Sequence, residues 1–166
     1  QLLRAYSEVG SEDAFRRMVV FDALTLNPDR HMGNHGFLFD NDTLEVQGMV
    51  PVFDNNLAFC PGYSADGIGS CLAWARQTLR PKIGGDFNLV AHELTTPPIR
   101  KALVSMTDFA FDHKALHGMP SERIDNMEAI VRTQARAILQ GEVFNQAPEP
   151  VGTEDLSWQL EDWPEE

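Results

Sequence analysis

The chain has 166 residues, of which 43% are hydrophobic, and its 13 Lys and Arg residues against 25 Asp and Glu residues leave a net charge of -12. A chain of this length can bury roughly 70% of its unfolded surface, so we expect one compact domain with a tail. The negative charge disfavours broad nucleic-acid binding, and no apolar run approaches the roughly 20 residues that span a membrane. The first residues lack the apolar core of a secretory signal, so the chain is predicted to be cytoplasmic. Cys60 and Cys71 form no CxxC pair and are predicted to be free thiols.

The first predicted element is a core helix that begins at Ser11 and ends near Leu26. The Ser11 hydroxyl oxygen can cap free amides, and the two acidic residues that follow it complement the helix dipole. Pro28 disfavours helical structure at the residue before it, which sets the end of the helix. The apolar positions expected to be mostly buried are Phe15, Met18, Val19, Phe21, Ala23 and Leu26.

A small cluster of strands is predicted next. Residues 37–39 and 44–47 read as two short strands, joined by the turn-rich residues 40–43. Residues 50–53 form a third extended piece, which delivers Asp54 at its end.

Helices dominate the rest of the chain. After a Gly-rich loop at residues 58–70, helical patterns cover 72–79, 97–106 and 121–139, and Gly141 is the predicted C-cap of the last helix. Ile124, Met127, Val131 and Ile138 mark one apolar face of that helix. The order of elements predicts an α+β fold that is mainly α-helical.

The predicted domain covers residues 1–141, and residues 142–166 form an acidic, Pro-rich tail. One interpretation of the tail is a flexible or surface-draped segment. The other is that Trp158 and Trp163 anchor it on a partner or on the domain itself.

The stretch NPDRHMGNHGF, residues 27–37, concentrates an aspartate, an arginine, two histidines and two asparagines directly after an apolar run. Asp29 and Asn34 have the D-x-x-x-x-N spacing of a kinase catalytic loop, and Asp54 follows an extended piece as the second metal aspartate of kinases does. Such a loop places a carboxylate against the attacking hydroxyl and an amide oxygen on Mg²⁺, several ångströms away. This predicts Asp29 as the base, with Asn34 and Asp54 as the metal ligands.

The order Asp29-Arg30-His31, followed by Asn34, differs from the HRD order of ordinary protein kinases. Together with NHGFL and the later VPVFD ending at Asp54, it resembles the catalytic core of the HipA-like serine/threonine kinases, and more widely the phosphatidylinositol 3/4-kinases. The likeness covers about residues 15–59 and implies a protein-kinase-like C-lobe carrying a small β-hairpin.

The resemblance implies a Mg²⁺-dependent kinase that transfers the γ-phosphoryl group of ATP to a protein Ser/Thr hydroxyl. Asp29 would be catalytic, and Asn34 and Asp54 would bind the metal. The residues themselves further predict that His31 belongs to the catalytic loop and orients it or steadies phosphate charge. Arg30 is predicted to bind phosphate, although a solvated or carboxylate-paired arginine is the more common outcome. The partners implied are ATP and a protein substrate, with an N-lobe or a toxin-antitoxin partner protein in trans as further candidates.

A complete kinase supplies a Gly-rich loop and a lysine ahead of its catalytic loop. No lysine precedes Asp29, and Lys82, Lys101 and Lys114 all follow Asp54. The chain is therefore expected to carry only the C-terminal lobe and to be weakly active or inactive in isolation. A trimmed N-lobe, an N-lobe on another polypeptide and a degenerate kinase relic are the three explanations.

Rival interpretations stay open. The chain could be a non-catalytic binding or regulatory module of kinase-lobe shape, or a lipid kinase, although the NHGFL context favours a protein acceptor. Asp29 and Asn34 could also simply satisfy backbone groups in a polar turn. His31 and His35 have the i, i+4 spacing of a helical zinc pair, but Gly33 and the nearby proline argue against a helix there.

Overall fold

The computed structural model describes residues 1–61 and 67–145. Within them the fold is α+β and mainly helical, which confirms the predicted class. The elements are α1 Leu2–Glu8, α2 Glu12–Thr25, β1 Phe37–Phe39, β2 Val46–Met49, α3 Ile68–Thr78, α4 Phe87–Glu93, α5 Pro97–Met106 and α6 Ser121–Gln140. The two seven-residue helices, α1 and α4, were not predicted, since each is too short to show a clear apolar period.

Helix α2 lies where it was predicted, and Ser11 is its N-cap residue, but the expected capping bond from the Ser11 side chain is not made. Ser11 makes no side-chain hydrogen bond to the helix, and its Oγ instead accepts a hydrogen bond from the Met49 backbone N–H at 3.0 Å. The serine therefore joins the start of α2 to β2. Phe21 was expected in the core but is 41% exposed, and Leu26 ends the helix in the left-handed conformation with φ of 53°.

Strands β1 and β2 form an antiparallel hairpin in which Phe37 pairs with Met49. The first strand has the predicted bounds, whereas the second begins two residues later than predicted. Leu44 has a left-handed φ of 59°, which a strand residue does not adopt. The Asp40 carboxylate holds this turn by accepting the Thr43 backbone N–H at 2.9 Å. Residues 50–53, predicted as extended, have no regular strand structure.

Helix α6 packs against α2, α3, α4 and α5. All four residues of its predicted apolar face are buried, and Gly141 ends it with a φ of 68°, so both predictions are confirmed. Gln134 is fully buried, and its Nε2 donates to the Ala23 carbonyl at 2.9 Å and to Asn88 Oδ1 at 2.8 Å. One side chain of α6 thereby contacts α2, which leads to the candidate site, and α4.

The first residues after Gly141 pack on the domain. Phe144 is buried, and the backbone N–H groups of Phe144 and Asn145 donate to the Asp86 carboxylate at 3.0 and 2.6 Å. The same carboxylate caps α4 through the Asn88 N–H at 2.9 Å. The proposed anchors Trp158 and Trp163 lie outside the described residues.

Cys60 and Cys71 are buried free thiols, as predicted. Burial, with the neighbouring Cys71 thiol, raises the pKa of Cys60 to about 12.

Helix α3 begins at Ile68, four residues earlier than expected. Among the described helices none has both the length and the apolar character needed to cross a membrane.

Candidate active site

The loop after α2 is fixed at its start by Asn27. Its Nδ2 donates to Asp22 Oδ1 of α2 at 3.0 Å, and its Oδ1 accepts the Asp29 backbone N–H at 3.2 Å. Asn27 is 1% exposed. The position of Asp29 is therefore set by a buried amide that is itself bonded to the core helix.

Arg30 is also 1% exposed and is the main connector of the site. Its Nε and Nη2 donate to the two Asp22 carboxylate oxygens at 2.9 and 2.8 Å. Nη1 donates to the Asn34 carbonyl at 2.9 Å and to the Phe53 carbonyl at 2.6 Å, and Nη2 also donates to Asn55 Oδ1 at 2.6 Å. A guanidinium has five N–H groups, and all five are used here.

The contacts of Arg30 therefore favour the carboxylate-paired alternative over phosphate binding. A buried guanidinium whose donors are all engaged offers no N–H to a ligand without breaking bonds inside the protein. Arg30 instead serves as a structural link between α2, the Asp29–Asn34 loop and the residues on either side of Asp54.

Hydrogen bonds within the loop fix the orientation of Asn34. Its Nδ2 donates to the Asp29 carbonyl at 2.9 Å, and its backbone N–H donates to the His31 carbonyl at 2.9 Å. Because Nδ2 is engaged, Oδ1 is the end of the amide available to a cation, and no donor from the described residues reaches it. The residue is 5% exposed.

Asp54 has an exposed side chain and a left-handed backbone, with φ of 54°. Aspartate adopts this conformation more readily than most residues other than glycine, and here the bonds from Arg30 to Phe53 and Asn55 hold the segment on both sides of Asp54. No partner among the described residues contacts its carboxylate. Asp54 and Asn34 thus offer two hard oxygen ligands, the type that Mg²⁺ prefers, on segments joined by one guanidinium.

Lys82 contacts the Asp29 carboxylate through its Nζ. The backbone N–H of Lys82 also donates to the Pro28 carbonyl at 2.9 Å, so the two chain segments run side by side. The hydrogen bond from the Lys82 ammonium lowers the pKa of the Asp29 carboxyl below its ordinary value. Sequence reasoning missed this residue, because 53 positions separate it from Asp29 and no spacing rule connects them.

The two histidines of the loop have different surroundings. His31 is exposed, and its Nδ1 accepts the Gly33 backbone N–H at 3.0 Å, which tightens the loop. His35 is buried, its Nδ1 lies 2.7 Å from the Tyr6 hydroxyl, and burial lowers its pKa. Among the described residues this pair belongs to no cluster of three metal-ligating side chains, so the zinc alternative gains no support.

An open groove of about 600 Å³ runs between α2 and the segment that leads to Asp54. Its walls are mostly apolar and include Phe21 and Val52, each 41% exposed. The groove also reaches Asn55, directly after Asp54. A surface for a further apolar contact therefore adjoins the candidate metal residues.

His92 and His113 both have hydrogen-bond partners in the structure. His92 Nδ1 lies 2.7 Å from the Ile138 carbonyl. His113 Nε2 lies 3.1 Å from Glu128 Oε1, and Asp125 completes a group whose ligating atoms are within 4.8 Å of one another. Glu128 is already bound on its other oxygen by Arg132 Nη2 at 2.8 Å, so the group is a hydrogen-bonded ion cluster that joins the 109–113 segment to α6.

No family model matches the chain, and neither a curated protein nor a solved structure gives a match. The fold class that follows from the structure is α+β and mainly helical.

Proposed function

We propose that this chain is the C-terminal lobe of a HipA-like atypical kinase, which transfers the γ-phosphoryl group of ATP to a protein Ser/Thr hydroxyl in the presence of Mg²⁺. The observation that carries the proposal is the set of bonds made by Arg30. They tie a D-x-x-x-x-N loop to both neighbours of Asp54, so the three residues expected to perform the chemistry share one anchor on the core. A plain polar turn has no need of the distant Asp54 segment.

The contacts support the following roles. The Asp29 carboxylate, whose side chain is 16% exposed, would orient the acceptor hydroxyl and take up its proton. Asn34 Oδ1 and the Asp54 carboxylate would hold Mg²⁺, which supplies charge neutralisation for the phosphates when bound. His31 orients the loop by accepting the Gly33 N–H. The small lobe that covers the nucleotide in kinases would come from another segment or another polypeptide.

A second candidate function is a non-catalytic binding module of the same shape. The groove bordered by Phe21 and Val52 favours it, because exposed apolar surface of this kind suits a protein contact. A third candidate, a lipid kinase, shares all the chemistry of the first and differs only in the acceptor.

A labelled-phosphate transfer assay on the full-length protein, with Mg²⁺, ATP and either protein or lipid acceptors, tests the proposal. Transfer to a protein hydroxyl is expected, and Asp29→Asn should reduce it by roughly 10² to 10⁴, the usual contribution of a general base. Asp42→Asn is the matched control, because Asp42 is an exposed acid in the hairpin turn. Transfer to lipid alone would favour the lipid kinase. If the protein neither transfers phosphate nor binds nucleotide, the non-catalytic binding module is the candidate that remains.

A further inference from the structure

We propose that Lys82 is the phosphate-binding cation of this site, held on Asp29 until a nucleotide arrives. The inference rests on the proposed function and adds to it a residue outside the catalytic motif. Its starting point is that Arg30, the cation inside the motif, has all five N–H groups engaged. A site that binds a triphosphate next to Asp29 needs another positive group.

The backbone around Lys82 is held against the loop. The Lys82 N–H donates to the Pro28 carbonyl at 2.9 Å, one residue before Asp29. The neighbouring Pro81 and Gly84 line a tight cavity together with Asn27 and Arg30. The backbone of Lys82 is therefore held beside the loop that carries Asp29.

The side chain has the exposure that a ligand-binding cation needs. It is 57% exposed, whereas the Asp29 side chain is 16% exposed, so the ammonium covers the carboxylate from the solvent side. Lysine has three N–H donors, and Asp29 uses one of them. At least one donor remains for a phosphate oxygen while the contact to Asp29 persists, and more become available if the contact breaks.

The charges explain why such a group is required. The terminal phosphoryl group must approach the acceptor hydroxyl that Asp29 orients, and two anions at that distance repel each other. An ammonium next to both offsets this repulsion, and lysine is a common phosphate ligand as a compact point charge. In the absence of nucleotide, the same ammonium neutralises Asp29.

The experiment measures dissociation constants for Mg²⁺ with a non-hydrolysable ATP analogue, and separately for adenosine, on the full-length protein. Lys82→Met should raise the dissociation constant of the analogue by about 10- to 100-fold, the usual effect of losing a charge-assisted hydrogen bond. The dissociation constant of adenosine should not change. Lys82→Arg should recover part of the loss. Lys101→Met, at an exposed position of α5, is the matched control and should change neither constant.

Asp29→Asn should change the dissociation constant of the analogue in the opposite direction. The substitution removes the carboxylate that pairs with Lys82, so the analogue should bind more tightly than it does to the unaltered protein. Equal affinities of the unaltered protein and Lys82→Met for the analogue would overturn the role of Lys82 and leave the kinase proposal standing. Failure of the unaltered protein to bind the analogue at all would overturn both.

Discussion

Arg30 and Asp22 form a two-point ion pair inside the molecule, with side chains that are 1% and 5% exposed. Nε and Nη2 of Arg30 donate to the two carboxylate oxygens at 2.9 and 2.8 Å. The remaining N–H groups bind the Asn34 and Phe53 carbonyls and Asn55 Oδ1. The pair therefore connects the core helix to both segments of the candidate site, and stability and site geometry depend on the same side chain.

Replacing Arg30 by methionine should destabilise the fold strongly. Asp22 would remain buried without its partner, and losing one member of a buried pair costs about 3–5 kcal/mol. Urea unfolding measures the change in the free energy of unfolding.

Arg4→Met is the matched control for that substitution. Arg4 pairs with Glu8 four residues away on α1, with side chains that are 85% and 62% exposed, and such a surface pair contributes less than about 1 kcal/mol. Similar losses in both variants would show that the buried pair has no special role.

Local sequence predicted several elements well and tertiary contacts poorly. The bounds of β1 and α5 agree with the structure, because their signals lie within the segments themselves. Ser11 was assigned to the helix cap, but a strand 38 residues away supplies its donor. Lys82 reaches Asp29 from the loop between α3 and α4, 53 positions away along the chain. Asp29, Asn34 and Asp54 could be proposed from the sequence because the spacing of Asp29 and Asn34 and the position of Asp54 after an extended piece are visible in the sequence itself, and their roles stay predictions.

Magnesium and ATP should raise the melting temperature of the full-length protein if the proposed site binds them. A ligand at 100 times its Kd stabilises the folded state by about 2.7 kcal/mol, a shift of several degrees for a domain of this size. Asp54→Asn should remove most of the shift, since it removes a metal carboxylate. Differential scanning fluorimetry with and without Mg²⁺ measures it, and an undiminished shift in Asp54→Asn would contradict the assignment of that ligand.

Glu128 should make stability depend on pH in the acidic range. Its carboxylate accepts the Phe111 backbone N–H at 2.8 Å, which with the His113 and Arg132 contacts lowers its pKa. In the unfolded chain a Glu side chain has a pKa of about 4.3. The stabilisation that the Glu128 carboxylate gives to the fold is therefore complete above that pH, and it is lost as pH falls through the lower pKa of the folded state. Urea unfolding from pH 7 to pH 3 follows it.

Glu128→Gln should flatten that pH dependence and lower stability at pH 7 by about 1–3 kcal/mol, the range for hydrogen bonds to charged groups. Glu122→Gln, at the exposed first turn of the same helix, should keep the acidic loss. An unchanged pH profile in Glu128→Gln would assign the acid sensitivity to other carboxylates.

Replacing Gly141 by alanine should lower the stability of the fold, whereas replacing Gly69 by alanine should raise it. Gly141 ends α6 with a φ of 68°, where an added Cβ costs about 1–2 kcal/mol, and that Cβ would lie 3.4 Å from the His92 ring. Gly69 lies in the first turn of α3, where a Cβ would meet nothing within 4 Å, so alanine should stabilise by up to about 1 kcal/mol through helix propensity. Thermal and urea unfolding of the two variants measure the difference, and destabilisation by Gly69→Ala would mean that α3 does not begin at Ile68.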